Sequence, residues 1–482
     1  MYLGLDLGTS ALKAVLLAPD HRVVGQASVS LKISQPRPLW SEQDPADWEA
    51  AMFAVCDELA ATHPAEMSRV RAIGLAGQMH GAVVLDSAHR PLRPAILWND
   101  GRSHAECAAL NAAVPDVPTI TGNTAMPGFT APKLLWLARH EPEIFTRIAL
   151  VLLPKDFLRL RLSGEAISDV SDASGMFLLD IAARTWSPAL LAACGLTASQ
   201  LPRLVEGSAP ATTLLPVLAL RWGMSETVIL AGGAGDNAAC AIGMGITKPG
   251  NGFVSLGTSG VIFQVTAGFQ PNPHACIHAF CHALPNTWHQ MAVILSAASA
   301  LRWVTQLTGS SDEAALLAQV AMLTPEDRAS APLFLPYLSG ERTPHNDATA
   351  TGAFIGLTHA HGAPALGYAV LEGVAFALRD GLLALGGGTP EGRFILVGGG
   401  TRSPLWCQLL ADILGITLVF AEGGENAGAL GAARLAWLAS GGEVDDVCRQ
   451  PAAQQTFVPA RSDWAPRYAS FRAAYPTLRG LV

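Results

Sequence analysis

The chain has 482 residues and a formal net charge of −8; 50% of its residues are hydrophobic and 15% are charged. That length and apolar content provide sizeable cores and exclude a largely disordered chain, while the acidic balance argues against nucleic acid or an anionic membrane as partner. We find no apolar run long enough to span a bilayer and no secretory signal at the start. Eight scattered cysteines are typical of a reduced, cytoplasmic protein.

The chain begins with a predicted β-hairpin. Residues 2–7 form an apolar strand, residues 8–10 (Gly-Thr-Ser) form a tight turn, and residues 11–17 form the return strand. Backbone N–H groups and hydroxyls in such a turn can surround a phosphate, and a plain hairpin turn is the alternative. Asp6 favours the phosphate interpretation, because a carboxylate in an apolar strand is costly unless it is paired or serves a metal. Lys13 provides a cation nearby.

Polar clusters follow two further predicted strands. The strand at residues 71–76 leads into residues 77–81 (Gly-Gln-Met-His-Gly), and the strand at residues 95–98 leads into residues 99–102 (Asn-Asp-Gly-Arg). Strand ends that carry polar loops can assemble one cleft. For His80 alone, a hydrogen-bonded structural histidine is the alternative interpretation.

Three helices are predicted between these clusters and the middle of the chain, at residues 128–140, 155–165 and 214–222.

The most informative stretch is residues 228–240, with the sequence VILAGGAGDNAAC. A short β-branched strand ends in a glycine-rich turn, and Asp236 and Asn237 then open a helix. Because ligands bind at the carboxyl ends of strands in open α/β sheets, Asp236 is our candidate general base. The same glycines match a dinucleotide fingerprint, but no acidic residue follows until Asp312, far beyond the position that would hold a ribose.

The second half of the chain repeats the opening pattern. Residues 243–252, rich in glycine, are the predicted domain boundary. Residues 253–263 again read as strand, Leu-Gly-Thr-Ser turn and strand. A strand at residues 394–397 then enters three glycines, residues 398–400, where a flat ring or a ribose could lie against the backbone; the helix at residues 404–414 follows.

A cluster of histidines and cysteines at residues 274–282 has two interpretations. Its spacing could ligate zinc, whereas the alternation of side chains at residues 278–282 is typical of a β-strand. No second pair of ligands is apparent elsewhere in the sequence. The strand interpretation is therefore the favoured one.

Taken together, the two hairpin turns, the glycine-rich strand end and the central aspartate resemble the actin-like ATPases. That resemblance implies a two-lobed α/β, ribonuclease H-like fold with nucleotide and sugar bound in the cleft between the lobes. Residues 128–137 (GFTAPKLLWL) resemble the first signature of the FGGY carbohydrate kinases. Residues 352–372 resemble the second, which departs from the pattern at Ala365 and Leu366, where a polar residue is expected.

Further runs resemble the branch of this family that phosphorylates the ketopentose D-xylulose: residues 78–81, 235–237, 278–285 and 337–345. The resemblance implies an ATP- and Mg²⁺-dependent kinase of pentose catabolism that forms D-xylulose 5-phosphate. It also implies an N-terminal lobe over residues 1–245 and a C-terminal lobe over residues 246–482.

The resemblance further implies a role for each site residue. Asp236 is the base for the sugar hydroxyl and Asp6 holds Mg²⁺, while the ketose is bound by Met79, His80 and Asn237. The phosphates of ATP are gripped by Gly8, Thr9, Ser10, Lys13, Gly257, Thr258 and Ser259. The adenosine is contacted by Gly399, Gly400 and Ser403.

Two classes of alternative remain open. One is another FGGY kinase, acting on glycerol, L-ribulose, rhamnulose, ribitol or gluconate; a glycerol kinase is expected to carry charged side chains where Met79 and His80 stand. The other is an actin-fold nucleotide switch without a small-molecule acceptor, disfavoured because no peptide-binding module follows the second lobe. The expected binding partner is a small-molecule ketopentose. A homodimer is one possible oligomeric state.

Overall fold

The computed structural model describes residues 1–225, 227–386, 392–421 and 424–479, and within them it contains two seven-stranded sheets, one in each half of the chain. The strands of the first half are β1 (Tyr2–Leu7), β2 (Ala11–Leu17), β3 (Val23–Ser30), β4 (Glu42–Gln43), β5 (Ala72–Gly77), β6 (Val83–Leu85), β7 (Ala95–Ile96), β8 (Leu150–Leu152), β9 (Ile167–Asp169), β10 (Leu179–Asp180), β11 (Thr185–Trp186), β12 (Arg203–Val205), β13 (Pro210–Thr213), β14 (Ile229–Ala231) and β15 (Ala234–Gly235). Its helices are α1 (Pro45–Thr62), α2 (Pro64–Met67), α3 (His104–Ala113), α4 (Val117–Thr121), α5 (Thr130–His140), α6 (Pro142–Phe145), α7 (Pro154–Ser163), α8 (Val170–Ala173), α9 (Pro188–Ala193), α10 (Pro216–Arg221) and α11 (Asp236–Gly243).

The second half contributes fewer strands and longer helices. Its strands are β16 (Gly252–Leu256), β17 (Gly260–Thr266), β18 (His278–Cys281), β19 (Trp288–Ile294), β20 (Leu333–Leu335), β21 (Ala353–Ile355), β22 (Phe394–Val397), β23 (Leu418–Ala421) and β24 (Ala453–Phe457). Its helices are α12 (Ala298–Leu307), α13 (Glu313–Ala321), α14 (Pro325–Ser330), α15 (Ala363–Ala384), α16 (Pro404–Leu414), α17 (Ala427–Ala439), α18 (Val444–Val447) and α19 (Ala465–Leu478).

The two large sheets share one plan. In the first, the order is β13-β14-β5-β1-β2-β3, with β15 also paired to β5; β1 is antiparallel to β2 and parallel to β5. In the second, the order is β18-β19-β17-β16-β22-β23-β24; β16 is antiparallel to β17 and parallel to β22. Both predicted hairpins are therefore confirmed, and each places its turn at the carboxyl end of a central strand.

Helix α17 lies against the first sheet although it belongs to the second half of the sequence. A Cβ atom added to Gly4 would lie 2.0 Å from the carbonyl oxygen of Ala429, and one added to Gly74 would lie 1.9 Å from that of Ala432. The helix also meets α11, where a Cβ at Gly431 would lie 1.8 Å from a backbone oxygen. Glycine at these positions is what permits such close packing.

Several predicted elements have shifted ends. The helix expected at residues 214–222 is restricted to Pro216–Arg221, because the N–H group of Leu214 is bonded to the carbonyl oxygen of Val228 at the sheet edge. The strand interpretation of residues 278–282 is confirmed, with β18 ending one residue earlier at Cys281. Among the described residues no helix has both the length and the hydropathy needed to cross a membrane.

Candidate active site

Asp236 occupies the first turn of α11, directly after the glycine-rich end of the first sheet. Gly233 has a φ of +76°, and a Cβ atom there would lie 2.2 Å from the carbonyl oxygen of Leu75. Both the conformation and the space therefore require glycine. The turn returns the chain to pair with β5 as β15, and the next residue is Asp236.

The carboxylate of Asp236 is held by its neighbour. Its Oδ1 accepts hydrogen bonds from the backbone N–H of Asn237 at 2.7 Å and from the side-chain amide of Asn237 at 2.8 Å. Burial raises the pKa of Asp236 to about 6, against the opposing effect of these two bonds. The group is ionised at neutral pH, yet its pKa is close enough to accept a proton from a reacting hydroxyl.

Asp6 lies on β1, which pairs with β5 on the side opposite β15, and the charge of Asp236 affects its pKa. It stands opposite Lys13 in the antiparallel register of β1 and β2. Burial and the charge of Asp236 raise the pKa of Asp6 to about 6, and Lys13 opposes the shift. Gly8 then begins the turn, its N–H donating to the carbonyl oxygen of Ala11.

Gly428, which sequence reasoning missed, closes over Asp6. A Cβ atom at Gly428 would lie 2.3 Å from Oδ2 of Asp6, so no side chain fits between them. Because Gly428 is in the first turn of α17, the positive end of that helix dipole lies at the carboxylate. The glycine-rich sequence of residues 423–431 is a signal that could have pointed to such close packing.

Thr9, in the first turn, is bonded to side chains outside that turn. Its hydroxyl donates to Oε1 of Gln78 at 3.0 Å and accepts from the indole N–H of Trp98 at 3.0 Å. Its carbonyl oxygen accepts from Gln43 at 2.8 Å. These bonds fix the turn relative to the loop after β5. The side chain of Ser10 is exposed at the tip of the same turn.

Met79 contacts the residue before Asp236, and His80 follows Met79 in the chain. A Cβ at Gly235 would lie 2.8 Å from Sδ of Met79, so this side chain contacts the residue before the carboxylate. His80 has a φ of +71°, and its Nδ1 is 2.8 Å from the carbonyl oxygen of Gly175. Burial lowers the pKa of His80 to about 3. The ring is therefore neutral, with a proton on Nδ1 and an acceptor at Nε2.

Lys133 fixes the backbone of His80 and was also missed. Its buried ammonium donates to the carbonyl oxygens of His80 at 2.8 Å and of Gly128 at 2.7 Å. Burial lowers the pKa of Lys133 to about 7. The residue belongs to the run at 128–137 that the sequence marks as a signature, but its partner lies 53 residues away.

A fully buried ion cluster lies next to β15, the short strand that leads into Asp236. The ammonium of Lys155 is 2.5, 2.8 and 3.2 Å from the carboxylates of Asp156, Asp169 and Asp172. The hydroxyl of Ser171, which donates to Asp169 at 2.5 Å, accepts from the N–H of Gly235 at 3.3 Å. The cluster thereby fixes the backbone that leads into α11.

The predicted nucleotide segments of the second half are neighbours. Gly257, Thr258 and Ser259 form the turn between β16 and β17. Gly398, with a φ of +94°, lies against that turn: its added Cβ would be 2.7 Å from the carbonyl oxygen of Leu256. The carbonyl oxygen of Thr258 accepts from the start of α12.

The residues predicted to contact adenosine divide into open and packed positions. A Cβ at Gly399 would meet no atom within 4 Å, so the backbone there is open to a ligand. A Cβ at Gly400 would be 2.9 Å from both Leu256 and the ring of Trp406. The hydroxyl of Ser403 caps α16 by accepting from the N–H of Trp406 at 3.3 Å, which is a structural role.

The structure thus gathers the predicted residues into two groups. In the first, Asp236 is bonded to Asn237, Met79 contacts Gly235 with His80 next in the chain, and Asp6 stands opposite Lys13 close enough to Asp236 to feel its charge. The second joins residues 257–259 to residues 398–403. The start of α17 lies between them, since Ala427 shares an apolar cluster with Val397 and Ala421 at the ends of β22 and β23, and Gly428 contacts Asp6.

Among the described residues, no group of three or more His, Cys, Asp or Glu side chains could hold a metal ion. Mg²⁺ needs fewer protein ligands, since it is commonly bound through one or two carboxylates together with water and substrate phosphates. Asp6, with Asp236 close enough to raise its pKa, fits that mode of binding.

Comparison with known proteins places this arrangement in a family. A model of the N-terminal domain of the FGGY family of carbohydrate kinases matches residues 1–243, and the C-terminal domain of the same family matches residues 252–440. The chain belongs to the FGGY family of carbohydrate kinases, as its sequence predicts, and is a carbohydrate kinase with ATP as the phosphate donor that the family implies.

Individual relatives are more specific. The chain is 50% identical to a xylulose kinase from Escherichia coli strain K12 over 100% of both chains. Among solved structures, it is similar to a xyloylose kinase from Brucella ovis, with a TM-score of 0.96 and 51% identity over 100% of both chains. A xylulose kinase from Rhodospirillum rubrum gives a TM-score of 0.92 at 30% identity, covering 100% of this chain and 99% of that one. The predicted two-lobed α/β fold is confirmed.

Proposed function

We propose that this kinase transfers the γ-phosphoryl group of ATP to D-xylulose and forms D-xylulose 5-phosphate. The relatives that match its full length at 50–51% identity are described as xylulose or xyloylose kinases. The observation within the chain that carries the proposal is the placement of Asp236, half-buried and bonded to Asn237, next to the Met79-His80 segment that contacts Gly235.

Asp236 performs the proton transfer in the proposed reaction. Oδ2 of Asp236 accepts the proton of the terminal C5 hydroxyl while the oxygen of that hydroxyl forms a bond to the γ-phosphorus of ATP. The bond from the γ-phosphorus to the β,γ-bridging oxygen breaks at the same time, and ADP is released. The pKa of about 6 leaves the carboxylate ionised before the reaction. Asn237 keeps Oδ1 occupied, so Oδ2 is the oxygen available to the acceptor.

Asp6 is the residue that would hold Mg²⁺, through water or directly. The ion would neutralise charge on the β- and γ-phosphates. The positive end of the α17 dipole lies next to the negatively charged carboxylate of Asp6. The turn at residues 8–10, Lys13 and the turn at residues 257–259 would surround the phosphates, and residues 399–400 would contact the adenosine.

Sugar recognition would depend on a neutral histidine and an apolar neighbour. With Nδ1 committed to Gly175, His80 can accept a hydroxyl hydrogen at Nε2. Met79 fills the space beside Gly235 without adding charge. A pocket of this composition disfavours the glycerol alternative, which is expected to place charged side chains at these two positions.

We also propose that the lobes comprise residues 1–245 and 246–482, of which residues 226, 387–391, 422–423 and 480–482 lie outside the described part of the chain. The cysteines are free thiols within the described residues, which supports our placement of the enzyme in the cytoplasm. A homodimer stays a prediction that light scattering in solution can test.

A coupled ADP-release assay tests the proposed function. The acceptor panel contains D-xylulose, L-ribulose, ribitol, gluconate and glycerol, each with Mg²⁺ present or chelated. We expect Mg²⁺-dependent turnover with D-xylulose at a kcat/KM at least about 100-fold above the other acceptors. Turnover on another sugar instead would refute the assignment of D-xylulose and would mean that Met79 and His80 select that other sugar. ATP hydrolysis that needs no sugar would refute the kinase proposal in favour of a nucleotide switch.

Two variants make the assay specific to the site. Asp236→Ala should abolish sugar phosphorylation, about 10³-fold or more in kcat, while ATP binding persists. Asp445→Ala, at a residue exposed on the surface, is the matched control and should behave as the wild type. Near-normal turnover by Asp236→Ala would refute the role assigned to the base.

A further inference from the structure

Arg342 is a partly buried cation that the proposed reaction does not yet use. It lies in the loop between β20 and β21, and its Nη1 is 3.2 Å from Nε2 of His278. Within the described residues no carboxylate lies within 4.0 Å of its guanidinium; the carboxylate of Glu341 instead accepts the backbone N–H of Arg342 at 2.8 Å. A guanidinium has five N–H donors, and burial makes unused ones costly.

His278 fixes the direction of this guanidinium. Its Nδ1 is 3.0 Å from Oδ1 of Asn123, whose amide donates to the carbonyl oxygen of Ala279 at 3.1 Å. Nδ1 of His278 is therefore the protonated nitrogen, and Nε2 accepts from Arg342. Burial and the charge of Arg342 hold the pKa of His278 far below its ordinary range, so this arrangement persists at neutral pH.

The loop that carries Arg342 is anchored to β19. Oε1 of Glu341 accepts from the N–H of Leu295 at 2.9 Å, and the N–H of Thr343 donates to the carbonyl oxygen of Val293 at 3.2 Å. The hydroxyl of Thr343 donates to the carbonyl oxygen of Cys276 at 3.2 Å. The position of Arg342 is thus set before any ligand arrives.

The C-terminal helix α19 anchors the other side of the same loop. The hydroxyl of Tyr475 donates to Asp347 at 2.7 Å, and its ring stacks on His345 with centroids 3.9 Å apart. The hydroxyl of Tyr337 is 3.0 Å from Nε2 of His345. Helix α19 therefore helps to fix the loop that carries Arg342.

A continuous set of contacts runs from Asp236 to Arg342. Met79 contacts Gly235, the residue before Asp236, and His80 follows Met79. The ring of His80 packs against Phe129 with centroids 5.0 Å apart, and Phe129 in turn meets His278 at 5.8 Å. The charge of Arg342 is near enough to contribute to the lowered pKa of His80. Met79, His80, Phe129 and His278 therefore link the surroundings of Asp236 to Arg342.

We propose that Arg342 binds the end of the acceptor sugar that is not phosphorylated, donating N–H groups to the C2 carbonyl oxygen and the C1 hydroxyl oxygen of a ketose. A carbonyl oxygen only accepts hydrogen bonds, and the fork of a guanidinium can reach two adjacent oxygens. This assignment rests on the proposed function, because it takes the C5 hydroxyl to lie at Asp236.

Steady-state kinetics of Arg342→Met tests the assignment. We expect KM for D-xylulose to rise about 10- to 100-fold, the loss that accompanies removal of a charged hydrogen bond. KM for ATP should stay within about twofold, because the guanidinium serves the sugar. The matched control is Arg302→Met, at an exposed residue of α12 that pairs with Glu313 on the same lobe, and its kinetics should equal those of the wild type.

A second variant covers the case in which Arg342→Met does not fold, which a thermal melt would reveal. Arg342→Lys keeps the cation but not the fork, so KM for D-xylulose should rise about 3- to 10-fold. An unchanged KM for the sugar in a folded variant overturns the proposal, and so does a rise in KM for ATP alone. Failure of the proposed function is distinguishable from failure of this assignment, because the wild-type enzyme itself would then not phosphorylate D-xylulose.

Discussion

Replacing Asp236 by asparagine should make the protein more stable while it abolishes catalysis. Burial raises the pKa of Asp236 to about 6, against about 3.9 for a solvated aspartate, and the difference corresponds to a cost of about 3 kcal/mol for the charged form. Asparagine removes that charge and keeps an oxygen that can accept from Asn237. Water and local relaxation reduce the gain, so we expect about 1–3 kcal/mol in the free energy of unfolding at pH 8.

The pH dependence distinguishes this mechanism from any other source of stability. Between pH 4 and pH 6 the folded wild type binds more protons at Asp236 than the unfolded chain does, so its stability falls as pH rises through that window. The advantage of Asp236→Asn should therefore be about half as large at pH 5 as at pH 8.

Urea denaturation of both proteins at the two pH values measures the difference, with Asp445→Asn as a surface control. A variant that is less stable than the wild type at pH 8, or equally stabilised at pH 5 and pH 8, would refute the reasoning.

Three further predictions concern the same pocket. The kcat/KM for the sugar should rise about tenfold per pH unit below pH 6 and level off above it, because Asp236 must be ionised to act as base; a profile flat from pH 5 to pH 8 contradicts this. Gly428→Ala should lower kcat more than about tenfold and reduce Tm, since its Cβ would lie 2.3 Å from Asp6, whereas Gly268→Ala, with no atom within 4 Å of the added Cβ, should change neither. His80→Phe should raise the Kd for the sugar about tenfold or more and leave the Kd for ATP unchanged, as isothermal titration with each ligand can verify.

The parts of the fold and site that depend on local sequence were predictable. The two hairpins follow from strands interrupted by Gly-Thr-Ser turns, and Asp236 follows a glycine turn whose φ at Gly233 only glycine adopts readily. The strand at residues 278–281 followed from its alternation. Each of these features is determined within about ten residues.

Long-range contacts account for what the sequence did not reveal. The hydroxyl of Thr9 bonds to Gln78, 69 residues away. The sequence of the turn alone therefore could not show whether this hydroxyl is available to bind a phosphate. Arg342 meets His278 across 64 residues, and Gly428 meets Asp6 across more than 400. No periodicity or spacing encodes such pairs, which arise only when two distant segments pack together.

The packing of α17, from the second half of the chain, on the sheet of the first half has a consequence for folding during synthesis. As synthesis proceeds, the first sheet is complete at about residue 235, yet one of its faces stays uncovered until residue 439 has emerged. A fragment that stops at residue 245 would present Gly4, Gly74 and their apolar neighbours to water. The two halves, expressed separately, should be individually unstable and should recover activity when they are produced together.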